Sequence, residues 1–262
     1  MPHEFDLNAD MGEGYGAWRL GDDHALLAEL TSANIACGYH AGDAGIMAAT
    51  CARAAELGVA IGAHIGLPDL IGFGRRRMQI DGPGFAAHVL YQLGALQCIA
   101  RAAGTKVTHI SFHGALGDMA CADEGLAMCL IGAVAGVAPE LVVSTSPGTM
   151  LMRAAGRHGM RSLGIFSADR GFAEDGKLLP RSHPQALLTD PEALARRIRR
   201  FIREGVVETV TGTLLPVDAQ TMMIHGDTPD APRIARAIRH AVAAEGALLV
   251  PLHRLAPEAP HV

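Results

Sequence analysis

The sequence has few aromatic residues, few cysteines and no excess of positive charge. Aromatic residues make up 4% of the 262 residues, so aliphatic side chains must fill most of the core of a chain that is 49% hydrophobic. A formal net charge of -5 argues against a surface that holds nucleic-acid phosphates. No apolar run approaches the roughly 18 residues of a membrane span. The start, "MPHEFDLNAD", lacks the basic and apolar regions of a secretory signal.

The cysteine pattern bears on the compartment and on one candidate nucleophile. The five cysteines are odd in number and form no CxxC pair, so neither a disulfide framework nor a thiolate zinc site is indicated. We therefore expect a reducing, cytoplasmic setting. Cys37, in the glycine-rich stretch "ACGYHAGD", is either a nucleophile or a small core residue, as free cysteines usually are.

Short β-like runs alternate with longer helical patterns almost throughout the chain. This order predicts parallel strands with right-handed crossovers, in a closed barrel or an open doubly wound sheet. No linker or change of composition interrupts it, so we expect one domain over residues 1–262. The predicted strands cover residues 4–10, 32–37, 59–65, 107–113, 140–145, 161–167 and 220–226. The predicted helices cover residues 22–30, 43–57, 84–103, 123–136, 148–159, 190–204 and 229–245.

One connection is long for a compact domain. Segment 168–188, "ADRGFAEDGKLLPRSHPQALL", exceeds a minimal loop and is too polar for the core. Long loops of this kind are often functional, so we predict a functional loop here. The helix after it has a clear start, since Asp190 is a typical N-cap and Pro191 suits the first helical position.

The first predicted strand carries polar residues on one face. In "EFDLNAD" the side chains of Asp6, Asn8 and Asp10 project to the same side, because successive residues of a strand alternate. A buried parallel strand is usually apolar on both faces. The pattern therefore indicates either an edge strand with one wet face or a buried cavity, metal site or hydrogen-bond network.

Histidines recur at the ends of other predicted strands. His40 and His64 each arrive at a C-terminal strand end, in "ACGYHAGD" and "IGAHIGLPD". His113 does so in "THISFHGA", and His225 in "TMMIHGD". The C-terminal end of a parallel sheet is where α/β proteins build their active sites. These histidines therefore predict a site at that end.

Three interpretations fit such a set of residues. Asp10, His40 and His64 are candidate ligands of a divalent metal that activates water. The alternatives are a metal-free acid–base set or a polar pocket that holds a substrate by hydrogen bonds. The spacing contains no short metal signature such as HExxH, so the sequence leaves this choice open.

The glycines in "MGEGYGAW" follow the first strand, where a phosphate loop would lie. Their spacing matches neither GxGxxG nor GxxxxGK[ST], and no lysine is placed to meet phosphates. We interpret this segment as a flexible active-site loop, and the sequence contains no recognisable ATP site.

Several motifs together resemble one known family. The stretches "DLNADMGEGYG", "TSANIACGYHAGD", "GAHIGLPDLIGFGRR", "HGAL", "SADRGF", "PRS" and "IHGD" occur in the order seen in the LamB/YcsF family, which includes the A subunit of bacterial ATP-dependent 5-oxoprolinase. The resemblance implies a distorted seven-stranded (β/α) TIM-like barrel of the glycoside hydrolase/deacetylase superfamily. It also implies the ATP-dependent opening of 5-oxo-L-proline to L-glutamate, with two partner subunits that resemble allophanate hydrolase and use the ATP.

The resemblance also implies roles for residues inside the matching motifs. The residues expected around the reacting carbonyl are Asp6, Asp10, His40, His64 and His113, with Asp10 or Asp6 activating water. Those expected to bind or orient the substrate are Asn8, Glu13, Asn34, Asp43, Arg75, Arg76, Arg170 and Arg181. The arginines are candidates because guanidinium donates in pairs to carboxylate or phosphoryl oxygens. Their alternative is to anchor loops through salt bridges.

The chain departs from the family pattern at strand ends. Ser111, Phe112 and Gly117 stand where members usually have lysine, proline and tyrosine, and Ile65 and Leu67 are further departures. These changes leave the substrate open. The alternatives are a different lactam or cyclic amide, a stand-alone metal-dependent amidase or deacetylase, and a non-catalytic protein of the complex that only binds a ligand. The sequence also leaves a homo-oligomer open.

Overall fold

Ten strands and nine helices make up the computed structural model, which describes residues 3–256. The strands are β1 (Glu4–Met11), β2 (Ser32–Ala36), β3 (Ala60–Ile65), β4 (Val107–Phe112), β5 (Val142–Thr145), β6 (Ser162–Ser167), β7 (Val206–Glu208), β8 (Leu214–Pro216), β9 (Thr221–His225) and β10 (Leu248–Leu249). The helices are α1 (Asp23–Leu27), α2 (Ala44–Leu57), α3 (Gly82–Ala102), α4 (Gly114–Ala122), α5 (Glu124–Ala135), α6 (Met150–Arg157), α7 (Pro191–Glu204), α8 (Ala231–Ala244) and α9 (Leu252–Leu255). None of these helices is both long and apolar enough to cross a bilayer.

Seven of the strands close into a parallel barrel. Strands β1 to β6 pair in chain order, and β9 pairs with both β6 and β1. Helices connect the successive strands. All seven predicted strands are present, and the pairing of β9 with β1 selects the closed barrel over the open sheet. The expected seven-stranded (β/α) barrel is thus confirmed.

The sequence patterns miss several short elements. Helix α4 begins directly after β4 and contains Gly114 and Gly117, which have low helix propensity. Strands β7 and β8 form an antiparallel hairpin between α7 and β9, and each has only three residues. Runs this short are below the length at which alternation identifies a strand.

The interior of the barrel is polar, and its outer face is apolar. On β1, Asp6 and Asn8 are fully buried inside the barrel, whereas Leu7 and Ala9 are fully buried on the opposite face. Strand β1 pairs on both sides, so the interpretation as an edge strand with a wet face is wrong. The polar face is instead buried within a hydrogen-bond network.

Asn34 lies at the centre of that network. Its Nδ2 donates to Asp10 Oδ1 at 2.9 Å, and its Oδ1 accepts from Asn8 Nδ2 at 3.3 Å. His109 Nε2 lies 3.1 Å from the same oxygen. Asp6 lies further towards the N-terminal end of the barrel, about 13 Å from Asp10 at the usual rise of a strand. Asn8 and Asn34 therefore connect strands inside the barrel, and Asp6 lies apart from the residues at its mouth.

Segment 168–188 is more buried than its polarity predicts. Asp169 is 0% exposed and Arg170 6%, and Phe172 and Ala186 are also buried. The Arg170 guanidinium donates to the backbone carbonyls of Ala186 at 3.0 Å and Leu179 at 2.6 Å. These bonds satisfy the buried charge and hold the loop together. They also correct the prediction for Arg170, which anchors the loop instead of facing a substrate.

Candidate active site

Four donor side chains meet at the C-terminal end of the barrel. Glu13 follows β1, His40 follows β2, His64 lies on β3 and His113 follows β4. One ligand atom from each lies within 4.8 Å of the others. His40 Nε2 is 3.2 Å from Glu13 Oε1, and His64 Nε2 is 3.0 Å from His113 Nδ1. We call these four buried residues the donor cluster.

Two glycines make room for the packed imidazoles. The rings of His40 and His113 stack with centroids 3.8 Å apart and an interplanar angle of 6°. A Cβ atom at Gly66 would lie 2.3 Å from His40 Nδ1, and one at Gly74 would lie 2.7 Å from His40 Cβ. Both distances are far inside van der Waals contact, so the positions of the imidazoles depend on glycine here.

Neighbouring groups fix the orientation of two imidazoles. His113 Nε2 lies 2.8 Å from the carbonyl oxygen of Phe73, which can only accept a hydrogen bond. His113 therefore carries its proton on Nε2, and the lone pair of Nδ1 points into the donor cluster. His64 Nδ1 lies 2.8 Å from Ser111 Oγ, which turns His64 Nε2 inward. Such outer contacts orient metal-binding histidines in other proteins.

Burial sets the protonation of the donor cluster. It lowers the pKa of His64 and of His113 to about 3, and it holds the pKa of His40 well below its usual value. Burial, together with the charge of Asp10, raises the pKa of Glu13 well above its usual range. The imidazoles are therefore neutral near pH 7, which is the form that binds a metal ion.

The donor cluster fits a divalent transition metal such as Zn²⁺. Three neutral imidazoles and one carboxylate are a typical ligand set for this ion. The sequence predicts Asp10, His40 and His64 as ligands, and the structure groups the two histidines with Glu13 and His113 instead. Asp10 lies beside the cluster, with Oδ1 3.4 Å from His64 Nε2.

Asp10 has the surroundings of a base. It is 4% exposed and accepts the hydrogen bond from Asn34. Burial raises its pKa above the usual value, although the charge of His225 and the bond from Asn34 oppose the shift. A carboxylate with a raised pKa next to neutral imidazoles can take a proton from water.

Positive charge lines the rim above the donor cluster. The Arg75 guanidinium lies 3.0 Å from Asp227 Oδ2, and Arg181 contacts the same carboxylate through both terminal nitrogens at 3.0 and 3.1 Å. Two cations thus share one anion, so the three groups together carry one positive charge. Arg75 and Arg181 are partly exposed there, as the predicted role in binding a carboxylate requires.

Two other predicted substrate ligands are engaged in local structure. Arg76 pairs with Asp69, and its side chain is 65% exposed. Asp43 is the N-cap of α2, where it accepts from Ile46 N at 2.9 Å and also from Gly16 N at 2.7 Å. These contacts favour the alternative of a structural role, in which Arg76 anchors a loop and Asp43 holds the segment that follows Glu13.

Cys37 belongs to the core. Its side chain is 2% exposed, and its thiol donates to the carbonyl oxygen of Ile35 at 3.1 Å. Burial raises the pKa of this thiol far above its usual value, so the thiolate that a nucleophile needs does not form near neutral pH. The geometry favours the core interpretation of this cysteine.

Two further residues at the mouth, His225 and Asp169, are given no catalytic, substrate-binding or metal-binding role by the sequence analysis. His225 ends β9 beside Asp10, and its Nδ1 lies 2.9 Å from Asp169 Oδ1. The position of His225 at a strand end is visible in "TMMIHGD". Asp169 lies in the motif "SADRGF", but the sequence assigns it no role, because it follows β6 in a segment without periodicity.

Comparisons with known proteins agree with this architecture. The model of the LamB/YcsF family matches residues 5–257. The chain belongs to the LamB/YcsF family. It is 48% identical to a 5-oxoprolinase A subunit of Pseudomonas syringae pv. tomato over 95% of its own length and 98% of that protein. The lactam utilization protein of Thermus thermophilus superposes with a TM-score of 0.89 at 40% identity, covering 95% of this chain and 100% of that one.

A more distant structure shares the LamB/YcsF barrel. The catalytic domain of peptidoglycan N-acetylglucosamine deacetylase from Eubacterium rectale superposes with a TM-score of 0.55 at 12% identity, over 100% of this chain and 94% of that one. At this level of identity the likeness shows the fold alone.

Proposed function

We propose that this chain is the A subunit of an ATP-dependent 5-oxoprolinase and opens the lactam ring of 5-oxo-L-proline to give L-glutamate. The observation that carries the proposal is the donor cluster with Asp10 beneath a cationic rim. Relatives whose names identify them as 5-oxoprolinase components support the choice of substrate. On this proposal the chain is a hydrolase of cyclic C–N bonds.

Each of these residues would have its own role in ring opening. Arg75 and Arg181 would hold the carboxylate of the substrate, which places the ring carbonyl above the donor cluster. Asp10 would remove a proton from the attacking water, since burial raises its pKa towards neutrality. A divalent ion held by the donor cluster would supply a Lewis acid at the carbonyl and lower the pKa of bound water.

The ATP-dependent step belongs to partner proteins in this proposal. Unactivated lactams are poor electrophiles, and the family resemblance assigns activation to two proteins that resemble allophanate hydrolase. The relatives are themselves named as subunits, which agrees with a multisubunit complex. This chain would then receive an activated lactam and open the ring.

Reconstitution tests the division of labour. The purified chain, its two partners and ATP are mixed in all combinations, and glutamate and ADP are measured. We expect glutamate only from the full mixture. Ring opening by the isolated chain without ATP would instead favour a stand-alone amidase, which the metal-type donor set also suits. Binding of 5-oxoproline without turnover in any mixture would identify a non-catalytic member of the complex.

Metal content tests the donor cluster separately. We expect the purified chain to retain about one equivalent of a divalent transition metal, measured by elemental analysis after dialysis. His113→Ala should lose this metal, because it removes the lone pair that Phe73 directs into the cluster. His240→Gln, on the exposed face of α8, is the matched control and should keep it. A wild-type chain without micromolar metal affinity would favour the metal-free acid–base set.

A further inference from the structure

A second cavity borders the segment that carries Glu13. Its volume is about 470 Å³, within the range of about 300–1,000 Å³ that small-molecule sites occupy. It lies between the connection from β1 to α1, helix α1 and helix α2, and its lining includes Gly14. Among residues 3–256, its lining includes no member of the donor cluster and neither Arg75 nor Arg181. This cavity is therefore separate from the site at the barrel mouth.

The lining of this cavity carries charges of both signs. Asp22 and Asp23 lie at the N-terminal end of α1, Arg19 precedes them, and Arg53 lies on α2. The formal charges of these four residues cancel. A ligand with one charge of each sign is complementary to such a lining, whereas a simple ion also meets like charges. Apolar side chains complete the wall, namely Leu20, Leu27 and Ile46.

Asp23 suits an ammonium group. Its Oδ2 accepts the backbone N–H of Gly12 at 3.0 Å, and its Oδ1 has no hydrogen-bond partner within residues 3–256. Burial raises the pKa of Asp23, because the hydrogen bond from Gly12 and the charge of Arg19 offset only part of the lost hydration. A cation beside Oδ1 would complete the compensation of this carboxylate. Asp22 is less suited, since it already caps α1 by accepting from Ala25 N.

Arg53 suits a carboxylate. Its Nη1 lies 3.0 Å from Glu56 Oε2, but the Glu56 side chain is 65% exposed, so water weakens this pair. Its Nε is shielded from solvent and has no hydrogen-bond partner in the part of the chain that the structure describes, residues 3–256. A ligand carboxylate would complete the compensation of this guanidinium. Arg19 is already engaged, because its Nη1 donates to the carbonyl oxygens of Gly16 and Trp18.

The size of the cavity favours a ligand larger than one amino acid. Its volume equals the share of about 15 water molecules in the liquid. We propose that the cavity binds a zwitterion of dipeptide size, with its ammonium group at Asp23, its carboxylate at Arg53 and an apolar side chain against Leu27 and Ile46. An extended dipeptide spans about 7 Å between its two charged ends. The inference goes beyond the proposed function and does not depend on lactam opening.

The same cavity has a connection to the donor cluster. Asp23 accepts from Gly12 N, Gly14 lines the cavity, and Glu13 lies between these two glycines. Glu13 Oε1 lies 3.2 Å from His40 Nε2. A ligand at Asp23 therefore restrains the backbone that presents Glu13. Deuterium exchange of the Gly12 amide should slow by about threefold or more when the ligand binds, and unchanged exchange would overturn this connection.

Titration of the purified chain with L-alanyl-L-leucine, followed by calorimetry, tests the ligand class. We expect a Kd of about 1 mM or lower, as is usual for a ligand of this size. The N-acetyl peptide lacks the ammonium group and the C-terminal amide lacks the carboxylate, so each should bind about tenfold more weakly. Leucine alone should also bind more weakly. Absence of binding at about 10 mM, or equal binding of the free and blocked peptides, would overturn the proposal.

Variants locate the bound peptide. Ala49→Phe places a ring in the cavity and should abolish binding, whereas Ala48→Phe, at an exposed position of α2 outside the lining, is the matched control and should leave the Kd unchanged. Asp23→Asn keeps an acceptor for Gly12 N but loses the charge. It should weaken binding of the free peptide about tenfold and leave binding of the N-acetyl peptide unchanged. Arg53→Gln should weaken the free peptide in the same way and leave the amide unchanged.

A variant at the barrel mouth separates the two sites. Arg75→Gln should leave the Kd of L-alanyl-L-leucine unchanged, because Arg75 does not line the cavity. Binding that is lost in Arg75→Gln and kept in Ala49→Phe would place the peptide at the mouth and overturn the inference. Failure of 5-oxoproline turnover with peptide binding as expected would count against the proposed function alone.

Discussion

At the scale of single residues, the site depends on Gly66, whose lack of a side chain lets the imidazole of His40 pack against its backbone. Gly66→Ala would place a methyl group against His40 Nδ1. We expect His40 to move out of the donor cluster, with a loss of about 1–3 kcal/mol in the free energy of unfolding. Metal affinity should also fall, because the displaced His40 no longer supplies a ligand. Urea denaturation and a metal titration measure the two effects.

Gly94 offers the matched control. It lies on the exposed face of α3, where an added Cβ would meet nothing within 4 Å. Gly94→Ala should therefore gain up to about 1 kcal/mol from helix propensity and leave metal affinity unchanged. If Gly66→Ala behaved like Gly94→Ala, the contact with His40 would not constrain the site.

Alternation along strands explains which single residues could be predicted. It places Asn8 and Asp10 inside the barrel and His64 at a strand end, because the period of a strand is fixed. It gives no information on the partner that a loop arginine finds. Arg76 pairs with a nearby carboxylate and Arg170 with backbone carbonyls, and both outcomes depend on the path of a loop.

At the scale of elements, one arginine ties the long loop to a helix. Arg197 on α7 donates to the carbonyls of Ala168 and Arg170, on either side of Asp169. Arg197→Lys keeps the charge but loses the forked donors. We expect the backbone amides of Gly171 and Leu188 to exchange with deuterium about tenfold faster or more.

Arg200 on the same helix provides the control for that exchange experiment. It pairs with Glu208, and within residues 3–256 no hydrogen bond or salt bridge joins its side chain to the segment that carries Asp169. Arg200→Lys should leave amide exchange in segment 168–188 unchanged. Similar exchange in the two variants and the wild type would mean that the loop holds its position without Arg197.

Element boundaries were predictable where local chemistry fixes them. Asp190 accepts from the backbone N–H groups of Glu192 and Ala193, and Pro191 begins α7, as the sequence indicates. Closure of the barrel was not predictable from periodicity, since open and closed parallel sheets have the same alternation of strands and helices. The pairing of β9 with β1 is set by the packing of the whole chain.

At the scale of the whole molecule, a polar interior makes stability depend on pH. Burial raises the pKa of Asp6 from 3.8 to about 6. The folded chain therefore binds a proton more tightly than the unfolded chain, and stability falls as pH rises from about 4 through 6. Asp6→Asn lacks this loss, so its stability relative to wild type should rise over that range by up to about 3 kcal/mol.

Urea denaturation of both chains at pH 5 and pH 8 should show about 1.4 kcal/mol of this difference, because an unfolded aspartate is already largely ionised at pH 5. Other buried carboxylates, such as Glu13, titrate in both chains and cancel in the comparison. A variant whose stability relative to wild type is the same at the two pH values would show that Asp6 titrates normally. Thr31 Oγ1, which donates to Asp6, can donate equally to the amide oxygen of asparagine.

The pairing of β9 with β1 also has a consequence for biosynthesis. Asp10 is translated long before His225, its partner across the ladder. Contacts so distant in sequence form slowly, because a long stretch of chain must be ordered before they can close. Until β9 is made, β1 and β6 expose unpaired backbone edges that can join other chains. We therefore expect the nascent chain to be prone to aggregation until β9 has been translated and the barrel can close.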